Sequence, residues 1–254
     1  MRITQLSTRK NSHNLWFAGQ SNCNGLNGIS PDTASYPALS GRHIFNPFSQ
    51  AWEKLQQNYN NSGAPLGFTG YVGIEIKLMQ LLYDYYGTDQ YMMKYAQGGV
   101  ALATDAGTIY NWSPDSTDDY MFKGFVSSYF AAKNSFPAVW IPPKILIWWQ
   151  GESDTGLADS IAYRSNFNYF MSNLKNQCNL PNLKVVQVLL SNNQTGYDST
   201  GRTNINNAKV AFAINGNKVV NTDGASVQVG GAHFTTAGYL DIAQRIFNLI
   251  ITML

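Results

Sequence analysis

Charge is scarce in this sequence. Lysine, arginine, aspartate and glutamate make up 13% of the 254 residues, about half of the roughly 25% usual for globular proteins. With 17 basic and 15 acidic side chains the net charge is +2, which provides no cationic footprint for nucleic acid or an anionic membrane. Cysteine is rarer still. Cys23 and Cys178 are too few for a disulfide framework, although they leave one bridge open, and no CxxC or His/Cys cluster marks a zinc site. No uninterrupted apolar run approaches the ~20 residues of a membrane span. Met1-Arg2-Ile3-Thr4-Gln5 lacks the basic segment and apolar core of a signal peptide. The expectation is a protein that stays where it is made, or one whose export signal is not part of this sequence.

What is present is apolar and aromatic. Hydrophobic residues account for 44% and aromatic residues for 13%, which excludes a disordered chain. Neutral polar groups must cover the surface, and Asn-rich stretches such as Asn58-Tyr59-Asn60-Asn61 supply them. No repeat or linker divides the chain, so residues 1–254 read as one domain.

Short apolar runs alternate with amphipathic segments. Leu15–Ala18, Tyr91–Tyr95, Lys144–Trp149, Val185–Leu190 and Lys218–Asn221 read as strands. Helical spacing predicts helices over Gly73–Tyr86, Asp118–Lys133 (with Thr117 or Asp118 as N-cap), Asp159–Gln177, Asn204–Ile214 and from Thr235 or Thr236 to Leu254. The loop-like stretch Asn24–Pro65 is expected to hold a short helix around Gln50–Gln57. Strands apolar on both sides, alternating with helices, indicate an α/β fold with a central parallel sheet covered by helices.

In such sheets ligands bind beyond the carboxyl ends of the strands. Three polar, glycine-containing turns follow predicted strands: Gln20-Ser21, Gln97-Gly98-Gly99 and Gln150-Gly151-Glu152. Ser21 is a candidate nucleophile, since a strand-to-helix turn exposes its Oγ and aims N–H groups at a developing oxyanion. Taken alone, a serine there serves equally as a turn former, and Gly98-Gly99 equally as a turn requiring positive φ. A base is needed, and the sequence has three histidines, His13, His43 and His233. Of these only His233, in a glycine-bearing loop before the last helix, stands where a late triad histidine is expected.

Leu15-Trp16-Phe17-Ala18-Gly19-Gln20-Ser21-Asn22, Ala96-Gln97-Gly98-Gly99, Trp148-Trp149-Gln150-Gly151-Glu152-Ser153-Asp154 and His233-Phe234-Thr235-Thr236-Ala237-Gly238 occur in this order. Together they resemble the blocks of the SGNH (GDSL-like) hydrolases, and within them the sialate O-acetylesterase and acetylxylan esterase branch, carbohydrate esterase family 6. The resemblance implies a three-layer α/β/α sandwich of flavodoxin-like type and a serine esterase that removes O-acetyl groups from carbohydrate. It implies Ser21 as nucleophile and His233 as base. The oxyanion hole would be formed by the N–H groups of Ser21 and Gly98 with the side-chain amide of Gln150. Gln20, Asn22, Gly99 and Trp112 become candidate substrate contacts, and Tyr36, Trp148 and Trp149 further aromatics that could stack on sugar rings.

The sequence departs from the family pattern at one position. Asp usually stands three residues before the histidine to fix its tautomer and stabilise the imidazolium, and here that residue is Gly230. The nearest acids in sequence are Asp223 and Asp241. Glu152, at a strand end in the cluster of turns, is the expected third member of a Ser21–His233–Glu152 triad, with a dyad oriented by a backbone carbonyl as the alternative.

The expected substrate is an acetylated xylan-type polysaccharide or an O-acetyl sialic acid. No cofactor or metal, and no nucleic-acid or membrane partner, is expected, while oligomeric state has no signal in the sequence. A secreted, periplasmic or phage-associated setting is favoured. Two other functions fit the same residues: a non-catalytic carbohydrate-binding or virion-surface protein on this fold, and a general short-chain esterase or thioesterase.

Overall fold

Strand β1 (Asn14–Gly19) is buried along its whole length, because its two faces pack against different helical layers. Leu15 and Phe17 point into one apolar cluster and Trp16 and Ala18 into the other, as the two-residue period of a strand requires. The structure is a computed structural model that describes residues 11–25, 38–61, 72–104, 108, 110–117 and 120–254. After β1 come a short helix α1 (Ser21–Asn24), strands β2 (Arg42–Asn46) and β3 (Ala51–Lys54), helix α2 (Ile74–Tyr86), strand β4 (Gln90–Ala96) and helix α3 (Phe122–Asn134). The second half holds β5 (Ile145–Trp149), a 3-10 turn (Glu152–Asp154), α4 (Leu157–Cys178), β6 (Lys184–Val188), α5 (Ser199–Phe212), β7 (Lys218–Val220) and α6 (Thr236–Ile250).

The strands form one seven-stranded sheet in the order β3-β2-β4-β1-β5-β6-β7. Every pair is parallel except β2–β3. Helices α3, α4 and α5 cover one face and α2 and α6 the other, giving the expected α/β/α sandwich. The chain moves to one side of β1 for β2 and β4 and to the other for β5, β6 and β7. That reversal opens a crevice at the carboxyl end of β1, the place where such sheets bind ligands.

Two sequence expectations are corrected. The helix expected around Gln50–Gln57 is instead the edge strand β3, antiparallel to β2. Trp52 decides this by packing on Phe45, Tyr91 and Phe136 and donating through Nε1 to the Ala132 carbonyl. Helix α3 begins at Phe122 with Met121 as its cap and no side-chain cap bond. Thr117 lies in a bend outside it, while Asp118, like Tyr36, falls outside the described residues. The cysteines are both buried and free, Cys23 in one layer and Cys178 in the other. Among the described residues no helix is long and apolar enough to cross a membrane.

Candidate active site

Gly19 ends β1 where the chain passes closest to β5. A Cβ there would lie 1.9 Å from the Trp149 carbonyl oxygen, so any side chain would push the two strands apart. The Gln20 N–H donates to that same carbonyl at 3.0 Å. The chain then turns into α1, whose first residue is Ser21 and whose end at Gly25 is left-handed, with φ 92°. Ser21 is thereby fixed at the mouth of the crevice with 4% of its surface exposed.

His233 Nε2 lies 2.9 Å from Ser21 Oγ, so two residues 212 positions apart meet at hydrogen-bond distance. The loop carrying the histidine is held on several sides. Val227 and Phe234 form an isolated bridge, and the Gln228 N–H donates to the His233 carbonyl. The Ala232 carbonyl accepts from Asn22 Nδ2, Gln194 Nε2 and the Tyr197 hydroxyl. Phe234 is fully buried against Trp149 and Tyr239. Burial lowers the pKa of His233 below its ordinary value, favouring the neutral ring a base requires. The other histidines sit elsewhere. His13 packs on Tyr86, and His43 stacks on Tyr91 and contacts Asp89 at 2.9 Å.

Gly98 faces the nucleophile. A Cβ on Gly98 would come 3.6 Å from Ser21 Cβ, so the glycine keeps the space beside the hydroxyl open. Among the described residues the N–H groups of Ser21 and Gly98 have no acceptor. Gly99 adopts φ 72°, with nothing within 4 Å of where a Cβ would stand, and so borders open space.

Gln150 is not placed as expected. It is fully buried, and its amide nitrogen has three acceptors around two hydrogens: Val100 O at 3.1 Å, Asp154 Oδ2 at 2.5 Å and Gln20 Oε1 at 3.2 Å. Its Oε1 accepts from the Tyr163 hydroxyl. Gln20 belongs to the same network, since its Oε1 also accepts the Ser153 N–H. The Gln150 amide is thus committed to Val100, Asp154 and Gln20, the residue before the nucleophile, in place of the free oxyanion donor expected from the sequence.

The three candidate acids are all bonded elsewhere. Glu152 accepts Asn22 Nδ2 at 2.7 Å, and its other oxygen has no hydrogen-bond partner among the described residues. Burial raises its pKa. The expected triad bond from Glu152 to the imidazole is thus replaced by an indirect link, in which Glu152 holds Asn22 and Asn22 holds the Ala232 carbonyl beside His233. Asp223 accepts from Asn192 and Ser191, and Asp241 pairs with Arg245. Gly230 stands at φ 65° in open space.

Two expected substrate contacts are structural. Asn22 is fully buried and uses its whole amide, taking the Tyr239 hydroxyl at Oδ1. Trp112 is fully buried among Tyr95, Phe125, Trp148 and Phe170, and donates through Nε1 to the Gly19 carbonyl. Trp148 and Trp149 are likewise core.

Two further residues organise the turns, Asp154 in the turn role its position after β5 suggests and Lys209, which was not singled out from the sequence. Asp154 accepts the Leu102 and Ala103 N–H groups, and burial pushes its pKa up to about 6. Lys209 is fully buried and donates to the Gln150 and Val188 carbonyls at 2.6 and 2.7 Å. Burial pushes Lys209 down to about 8, opposed by the charges of Glu152 and Asp154. A signal for it existed in the sequence: four residues after Ile205, it shares the apolar face of its helix. Among the described residues no group of three or more His, Cys, Asp or Glu side chains is placed to hold a metal ion.

Comparisons with known proteins bear on the family and the fold. Residues 12–252 match a family model described as carbohydrate esterase, sialic acid-specific acetylesterase. A probable carbohydrate esterase of Arabidopsis thaliana is 25% identical over 100 residues, which cover 39% of this chain and 36% of that protein. The match thus spans about a third of that relative's length. The crystal structure of the Arabidopsis protein superposes with a TM-score of 0.76 at 18% identity, covering 95% of this chain and 99% of the other. A carbohydrate acetylesterase of Xanthomonas citri gives a TM-score of 0.67 at 14% identity over 95% of this chain and 56% of its own. At these identities the structural likenesses show the fold.

Proposed function

The chain belongs to the sialic acid-specific acetylesterase family of carbohydrate esterases, and from that premise we propose that it is a serine esterase removing O-acetyl groups from carbohydrate through an acyl-enzyme. The observation that carries this reading is the 2.9 Å contact between His233 Nε2 and Ser21 Oγ. A lone serine hydroxyl is a poor nucleophile, and a neutral imidazole within hydrogen-bond reach is what activates it.

In this mechanism Ser21 Oγ attacks the acetyl carbonyl carbon while its proton passes to His233 Nε2. The carbonyl oxygen becomes an oxyanion and takes hydrogen bonds from the Ser21 and Gly98 N–H groups, with the amide of Gln20, the residue before the nucleophile, as a further donor to be tested. Imidazolium then gives its proton to the departing sugar oxygen, which leaves as the free hydroxyl and acetyl-Ser21 remains. A water molecule deprotonated by His233 attacks that ester, and acetate leaves as Ser21 recovers its proton. The site residues meet the substrate's acetyl group at a polar strand end, a setting suited to a sugar ester.

The test is acetate release from acetylated xylan and from O-acetylated sialic acid by wild type and Ser21→Ala. The substitution should lower kcat by several orders of magnitude, toward the ~10⁶-fold lost in another serine hydrolase on removing its nucleophile. A folded Ser21→Ala protein that releases acetate at the wild-type rate contradicts the proposal.

A further inference from the structure

Between α4 and the segment that follows Gly99 lies a cleft of about 460 Å³, lined by none of the residues that acetyl transfer uses. One wall is a single face of α4, where Asp159, Ala162, Asn166 and Tyr169 follow one another at intervals of three and four residues. The facing wall includes Thr104 and Asp115. Ala162 leaves the gap open. Tyr169 is 45% exposed, and its hydroxyl donates to Asp115 Oδ1 at 2.8 Å, so the ring is tethered across the cleft. An aromatic face already held in place loses little freedom on binding a flat apolar surface.

The cleft is tied to the reaction centre through the backbone. Asp154, two residues beyond Glu152, accepts the N–H groups of Leu102 and Ala103, which line the cleft. Those residues lie four and five positions after Gly98. One buried carboxylate thus fixes both the turn that follows β5 and the wall of the cleft.

The lining defines the ligand. A fixed tyrosine ring beside an amide and two carboxylates suits a sugar ring, whose apolar face stacks while its hydroxyls donate to carboxylate oxygens. The described lining holds Asp115 and Asp159 and no lysine, arginine or histidine. A carboxylate-bearing sugar would meet like charge there without a cation to offset it. We infer that this cleft is a subsite for a neutral polysaccharide chain, holding sugar units next to the acetylated one. The inference rests on the esterase reading of Ser21 and His233 and narrows its substrate to neutral acetylated glycans over O-acetyl sialic acid.

The experiment compares kcat/KM on acetylated xylan, O-acetylated sialic acid and p-nitrophenyl acetate for wild type, Tyr169→Ala and Asn166→Ala. Calorimetric binding of unacetylated xylohexaose and of a sialylated trisaccharide to Ser21→Ala accompanies it. The subsite predicts binding of xylohexaose and not of the sialylated sugar. It also predicts that Tyr169→Ala lowers kcat/KM on acetylated xylan about tenfold more than on p-nitrophenyl acetate, mainly through KM. Equal losses on polymer and nitrophenyl ester, or xylohexaose binding unchanged when Tyr169→Ala is added to Ser21→Ala, would overturn the subsite. Preference for the sialic acid ester would overturn its neutral character. Failure of the esterase reading looks different: wild type would release acetate from none of the three esters, whatever the binding results.

Discussion

His233 shows how a few side chains decide what this molecule can do. Its ring is half-buried against Ser21, and burial holds its pKa below the ordinary value. As a base it works in the neutral form, so activity is lost as pH falls through that lowered pKa and is retained above it. The acid limb of kcat/KM on p-nitrophenyl acetate should therefore have its midpoint below the ~6.5 of a free histidine; a midpoint above that value would remove His233 from the role. Gln20 and Gln150 make a second residue-scale comparison. Gln150 has its amide committed to Val100, Asp154 and Gln20, whereas Gln20 precedes the nucleophile. Gln20→Ala should lower kcat by roughly 10²-fold as its main effect, with a smaller loss of Tm from the Gln150 Nε2 and Ser153 N–H donors it leaves behind. Gln150→Ala should instead cost about 2 kcal/mol of stability, because it strands buried partners. Kinetics and thermal melts of the two variants check this, and the reverse pattern would restore Gln150 to the oxyanion hole.

Between residues and fold stand the elements that carry the nucleophile. Lys94 on β4 and Glu75 on α2 form a fully buried ion pair at 2.7 Å, and Lys94 also donates to the Asn24 carbonyl at the end of α1. Asn61 and the Gly73 N–H complete the shell around Glu75. This pair joins the helix bearing Ser21 to the sheet and to α2. Lys94→Met leaves Glu75 buried without its cation and should cost about 3–5 kcal/mol. In urea unfolding, adding Glu75→Gln should recover part of that loss, and a cost below about 1 kcal/mol would show the pair to be dispensable. The elements also show what the sequence made legible. Strands such as Ile145–Trp149 were readable because both faces are buried and the run is therefore continuously apolar. The hairpin strand β3 was not, since Ala-Trp-Glu-Lys-Leu-Gln-Gln is built of residues at home in a helix. Pairing with β2 and the docking of Trp52 override that local preference.

At the scale of the whole molecule, strand order places the site. The direction of the chain reverses around β1, and the turns after β1, β4 and β5 converge at one end of the sheet. That convergence was legible, because each turn carries polar residues and glycine directly after an apolar strand. The use of each polar group was not. Gln150, Asn22 and Glu152 look alike in sequence whether they face a substrate or brace the turn behind it, and only packing separates the two cases. Trp112 posed the same difficulty, since an aromatic ring serves equally as sugar platform or as core. The long-range meeting of Ser21 with His233, by contrast, followed from the order of the motifs along the chain. The most direct measurement of the central claim is covalent labelling with diisopropyl fluorophosphate, read by intact mass and peptide mapping alongside residual acetate release. The account predicts one label per chain, on Ser21, with activity lost in step and labelling slowed in His233→Ala. A label on another residue, or full acetate release from protein fully labelled at Ser21, would contradict it.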